Sequence, residues 1–87
     1  MYDIEFSPSA TADLESCTTA EIEEIFFIVF AWSVDPRPDG ARPLSSPEIT
    51  DGRFYRYETT RFIIFYTVWE AVLIVQIEIV LKKIHLN

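Results

Sequence analysis

The chain has 87 residues, 49% of them hydrophobic and 24% charged, with a net charge of −7 and one cysteine, Cys17. This length makes a single domain over residues 1–87 with one modest core, and the lone cysteine excludes an internal disulfide and a cysteine zinc set. The acidity argues against general affinity for nucleic acid, but it is uneven: residues 1–36 hold eight acids and no Lys or Arg, whereas residues 37–87 hold all seven basic residues against six acids, enough for a local anion site.

Tyr2–Phe6 alternates apolar and polar residues, which predicts a short half-buried strand. Ser7-Pro8 then opens a helix: Ser7 caps it, and Pro8 suits the first helical position, where its missing N–H is not needed. Ala10, Leu14 and Cys17 mark the inner face of this helix. Thr18-Thr19-Ala20-Glu21 has the spacing of a capping box and starts a second helix over residues 19–34. Ile22, Ile25, Phe26, Val29 and Phe30 form its core stripe, and Phe27, Ile28, Ala31 and Trp32 widen the apolar surface around most of the circumference. So wide a face in so small a chain predicts a protein partner, contacted by Phe27, Ile28 or Trp32 or by part of the sheet face that the helices leave open, with a homodimer as the alternative.

Asp35-Pro36 ends the helix. Residues 36–52 carry four of the five prolines and both glycines and are expected to form a loop. Period-two patterning then predicts strands over Arg53–Thr59 and Arg61–Val68, a tight turn at Trp69-Glu70-Ala71, and a third strand over Val72–Leu81. That last strand is nearly all apolar and so is expected to be central and covered on both faces. The predicted class is α+β, in the order β-α-α-β-β-β: an antiparallel sheet with two N-terminal helices packed on one face. The longest apolar run, Ile25–Trp32, is too short to span a membrane, and no signal peptide is evident, so a soluble cytoplasmic protein is expected.

Nothing in the sequence fits metal binding, a phosphate loop or a catalytic triad, and no cofactor is expected. A different set stands out on the strands and at the chain's end: Arg53, Tyr55, Tyr57, Arg61, Phe65, Tyr66, Lys82, Lys83 and His85. Arginine grips phosphate with a fork of donors, and tyrosine stacks on unpaired bases. Strands also favour aromatic residues and cross-strand Arg–Glu pairs for ordinary structural reasons, and chemistry alone leaves both explanations open.

The opening Tyr2–Ala10, the Arg42-Pro43-Leu44 segment, Gly52–Tyr57 followed by Arg61–Val68, and the ending Lys82-Lys83-Ile84-His85 together resemble the RelE/ParE toxin superfamily. The resemblance implies the toxin of a toxin–antitoxin pair, with a cognate antitoxin as partner. RelE-like members cut mRNA on the ribosome without a metal, through attack of a 2′-hydroxyl on the adjacent phosphate; ParE-like members instead block DNA gyrase. Carried over by position, Arg61 and Lys83 would hold the scissile phosphate, and Tyr66 or His85 would handle the proton. Arg56, Arg53 and Lys82 would bind the RNA backbone. Gln76 and Glu78 stand where many nuclease members carry an arginine. The resemblance thus also leaves room for a gyrase inhibitor or a non-catalytic interaction module.

Overall fold

The computed structural model describes residues 1–44 and 52–84. Its elements, in chain order, are β1 (Asp3–Phe6), α1 (Pro8–Glu15), α2 (Thr19–Phe30), a 3-10 turn (Ala31–Ser33), β2 (Arg42–Pro43), β3 (Gly52–Glu58), β4 (Phe62–Trp69) and β5 (Ile74–Lys82). Both helix starts follow from their sequence signals. The Ser7 hydroxyl accepts the Ala10 N–H at 3.0 Å, with Pro8 opening α1. At α2, Thr18 Oγ1 accepts the Glu21 N–H while the Glu21 carboxylate accepts the Thr18 N–H, completing the capping box.

The sheet runs in the order β1-β5-β4-β3-β2. It is mixed rather than antiparallel, because β1 pairs with β5 in parallel. Short connections force β3, β4 and β5 to alternate in direction, whereas β1 reaches its partner only after the whole chain has passed over the sheet. The expected loop over 36–52 also contributes a strand: Arg42 pairs with Arg56 and Pro43 with Tyr55. Residues 45–51 of that loop lie outside the described residues. The turn between β4 and β5 spans Glu70–Leu73 rather than residues 69–71, with Trp69 paired to Ile74 and Leu73 at a φ of 55°.

Ala10, Ile25 and Val29 from the helices pack on Phe62, Ile64, Tyr66 and Val68 of β4 and Val75, Ile77 and Val80 of β5, all of them buried. Trp32 completes this core, stacked on Tyr66 with ring centroids 4.1 Å apart. Among the described residues, no helix lies on the opposite face of the sheet. Strand β5 is interior, between β1 and β4, but it is not covered on both sides: Ile79 and Leu81 are 38% and 47% exposed. Its unbroken apolar run reflects one buried face and one apolar open face.

A bulge ties α1 to β5. Phe65 pairs with Ile79 but Tyr66 pairs with Ile77, which leaves Glu78 as the extra residue. Side chains of and next to α1 satisfy the backbone there: the Ser7 hydroxyl donates to the Glu78 carbonyl at 2.7 Å, and the Asp13 carboxylate accepts the Val80 N–H at 2.9 Å. Ser7 thus caps a helix and fills a bulge with one hydroxyl. Ser7→Ala is expected to lower stability by about 2 kcal/mol, through a lost cap and an unpaired carbonyl. The check is a lower urea midpoint at unchanged slope.

Candidate functional site

The strand register decides which cations meet. Tyr55 faces the core, opposite Tyr66, so Phe54, Arg56 and Glu58 face the open side of β3. Arg42 lies directly opposite Arg56 on that side, and Phe65 lies on Arg56's other flank. The Phe54 and Phe65 rings stack there, 6.0 Å apart and 16° from parallel. Arg56 Nη2 donates to Glu58 Oε1 at 2.8 Å, and the second oxygen of Glu58 pairs with the Lys83 ammonium. Lys83 and Arg56 together hold the Glu58 carboxyl below the usual carboxylate range. The result is one row of ion pairs across the open face, built by β3 and the segment that follows β5.

The other candidates lie elsewhere. Arg61 pairs with Glu24 on α2, and Lys82 pairs with Glu21, also on α2, at 3.0 Å. Arg61 and Lys83 are neighbours along the backbone ladder, the Lys83 N–H donating to the Arg61 carbonyl at 2.8 Å. Their charged ends are nonetheless held by acids on different elements, so they do not converge on one point as the family resemblance implies. Arg53 is opposite Val68 and so lies on the helix side of β3, away from Arg56's face. His85 lies outside the described residues.

Two expected site residues belong to the core. Tyr66 is fully buried, and its hydroxyl donates to the Pro36 carbonyl at 2.7 Å. Burial also pushes that hydroxyl well above the ordinary phenol range. In this position it neither reaches a substrate on the open face nor gives up a proton near neutral pH. Trp32, expected at a partner contact, is only 2% exposed because it seals the core against Tyr66. Sequence reasoning missed Arg42, whose place on the open face depends on the two-residue strand β2. It also missed Arg37, whose Nε donates to the Tyr55 hydroxyl at 2.8 Å while its guanidinium pairs with Glu70.

The outer face of α2 offers a second surface. Phe27, Phe30, Ala31 and Val34 recur at i, +3, +4 and +7, and all four are exposed, Phe27 by 86% and Val34 by 75%. Phe30, expected in the core stripe, is half exposed and belongs to this outer one. A groove of about 250 Å³ adjoins the stripe, lined by Phe27, Ile28, Trp32, Pro38 and Tyr57 with Asp35. Trp32 therefore contributes to this surface only through the small part of its ring that the groove exposes. Among the described residues no three His, Cys, Asp or Glu side chains are placed to hold a metal ion, and no helix is long and apolar enough to cross a membrane.

No protein-family model matches the chain, and no curated protein matches it in sequence. The fold nevertheless has solved counterparts. The chain is similar to the archaeal RelE–RelB complex from Pyrococcus horikoshii OT3, with 15% identity, 93% of each chain covered and a TM-score of 0.79. It is also similar to the isolated E. coli RelE toxin, with 15% identity, 100% of this chain and 89% of that one covered and a TM-score of 0.78. The intact E. coli RelBE toxin–antitoxin complex aligns at 14% identity over 98% and 100% of the two chains, with a TM-score of 0.69. The chain has the fold of the RelE toxins.

Proposed function

We propose that this chain is the toxin of a toxin–antitoxin pair and cleaves mRNA on the ribosome, in the cytoplasm, without a metal. The observation that supports this most is the convergence of Arg56 and Lys83 on a single carboxylate of the open sheet face, beside stacked Phe54 and Phe65. A group with the charge and width of a carboxylate is already held there by two cations. In the reaction the 2′-hydroxyl loses its proton and bonds to the adjacent phosphorus, the bond to the 5′-oxygen breaks, and that oxygen takes up a proton, leaving a 2′,3′-cyclic phosphate and a 5′-hydroxyl. Charge gathers on the phosphorane oxygens, where fixed cations lower the barrier most. Arg56 and Lys83 hold those oxygens. With Tyr66 in the core, His85 is the proton carrier that remains from the sequence set.

A second reading is a ParE-like gyrase inhibitor or a non-catalytic member. It is favoured by the capping of Arg56, Arg61, Lys82 and Lys83, each by a glutamate of the same chain, and by the net charge of −7. Inducible expression without a partner separates the cases. Growth arrest with new mRNA 5′ ends inside codons is the expected result. Arrest with DNA damage and intact mRNA supports the gyrase reading, and normal growth supports the non-catalytic one.

The partner in this reading is an antitoxin, and two of the similar structures are toxin–antitoxin complexes. Its docking surface is the outer stripe of α2 with the groove at Ile28, where an apolar helix face finds spacing that matches its own. Phe27→Asp is expected to weaken antitoxin binding by more than about 30-fold, as for a central aromatic anchor, and to leave the melting temperature unchanged. Titration calorimetry with the cognate antitoxin, paired with a thermal melt, reads both. A stable dimer of the free chain by light scattering, broken by the same substitution, would assign the stripe to self-association instead.

A further inference from the structure

We propose that Glu58 is a built-in phosphate mimic: its carboxylate closes an anion site formed by Arg56 and Lys83, and a phosphodiester enters by displacing it. The two oxygens of Glu58 each take one cation, Arg56 from within β3 and Lys83 from just beyond β5. The two non-bridging oxygens of a phosphodiester carry the same single charge in a similar span, so one anion substitutes for the other on these two donors. Glutamate is ionised at neutral pH, and its two ion pairs close the site in the free protein.

Exposure identifies the part that moves. The side chains of Arg56 and Lys83 are 28% and 26% exposed, held down on the sheet, whereas that of Glu58 is 41% exposed at the last residue of β3. Rotating Glu58 into solvent leaves both cations in place. Charge balance favours the exchange. At this end of the open face, among the described residues, Arg56 and Lys83 hold one acid between them, and Arg42 stands directly opposite Arg56. Like charges at opposed sheet positions repel, and an incoming anion relieves what Glu58 alone does not. The stacked Phe54 and Phe65 rings adjoin the same row and present a surface on which an unpaired base stacks. The inference rests on the site proposed above for RNA, but the closing contact stands on the ion pairs alone.

The test uses the full chain and two variants of equal charge, Glu58→Gln and Glu23→Gln, the latter altering an exposed acid of α2. Inorganic pyrophosphate is titrated into each, and the Arg56 Nε–H resonance is followed by NMR. Glu58→Gln should bind at least about fivefold more tightly than the unaltered chain, the effect of removing one unit charge ~4 Å away through water. Glu23→Gln should bind as the unaltered chain does. Equal affinity in all three, or an equal gain in both variants, would overturn the proposal, since only general charge would then be at work. A single-stranded RNA oligonucleotide is titrated in parallel. Tighter pyrophosphate binding by Glu58→Gln with no binding of the RNA would uphold the closed anion site and defeat the RNA reading.

Discussion

Lys83→Ala is expected to lower mRNA cleavage by ~10²–10³-fold while leaving the chain folded, and Arg56→Ala by a similar factor. Both residues reach the open face, where their charged ends share one anion, so in the proposed reaction each would supply a donor that strengthens as the phosphorane forms. Because the two act on the same group, the double variant should be little worse than either single one. Arg61→Ala should cost no more than about tenfold, since its guanidinium is occupied by Glu24 on α2 and its removal subtracts only a distant charge. Single-turnover cleavage on programmed ribosomes, with circular dichroism to verify the fold, distinguishes these cases. Loss of activity in Arg61→Ala alone would move the phosphate to the helix side of the sheet end.

The largest stability effect is expected at Trp32. Trp32→Ala should cost about 3–5 kcal/mol, from the cavity left by a large buried ring. The stack on Tyr66 and the edge contact with Tyr57, 5.4 Å away, are lost with it. A chain of this size has roughly 4–13 kcal/mol in total, so the variant should lose from about a quarter to all of its stability. The melting temperature should fall by more than about 12 °C. Phe27→Asp, one turn away on the outer stripe, should leave it where it was. The contrast tests the division of the second helix into a core side and a docking side.

Local signals in the sequence located the elements, and non-local ones escaped it. The Ser7-Pro8 start and the Thr18–Glu21 box act within one turn of helix and are legible from adjacent residues. Alternation along the second of the long strands puts Phe62, Ile64, Tyr66 and Val68 on one face, and that face is the core. The same alternation puts Tyr66 among the core residues, away from the catalytic place that the resemblance implies. Trp32 follows Ile25 by seven residues and Val29 by three, so helix geometry carries it to the inner side. The breadth of the apolar surface around it obscured that position. The parallel pairing of β1, the bulge at Glu78 and the strand at Arg42 each depend on residues distant in sequence. For the site, the sequence set contained Arg56 and Lys83 but not the acids that sort the cations. The uneven charge has a structural use: Glu21 and Glu24 of the acidic first half neutralise Lys82 and Arg61 of the basic second half.

The most direct test adds the purified chain to ribosomes stalled on a defined message and maps mRNA 5′ ends by primer extension. The expected result is a new end within the codon at the ribosomal A site, absent with free message, and lost in Lys83→Ala. An intact message at all concentrations of the folded, unaltered chain would contradict the assignment of the open face to RNA cleavage.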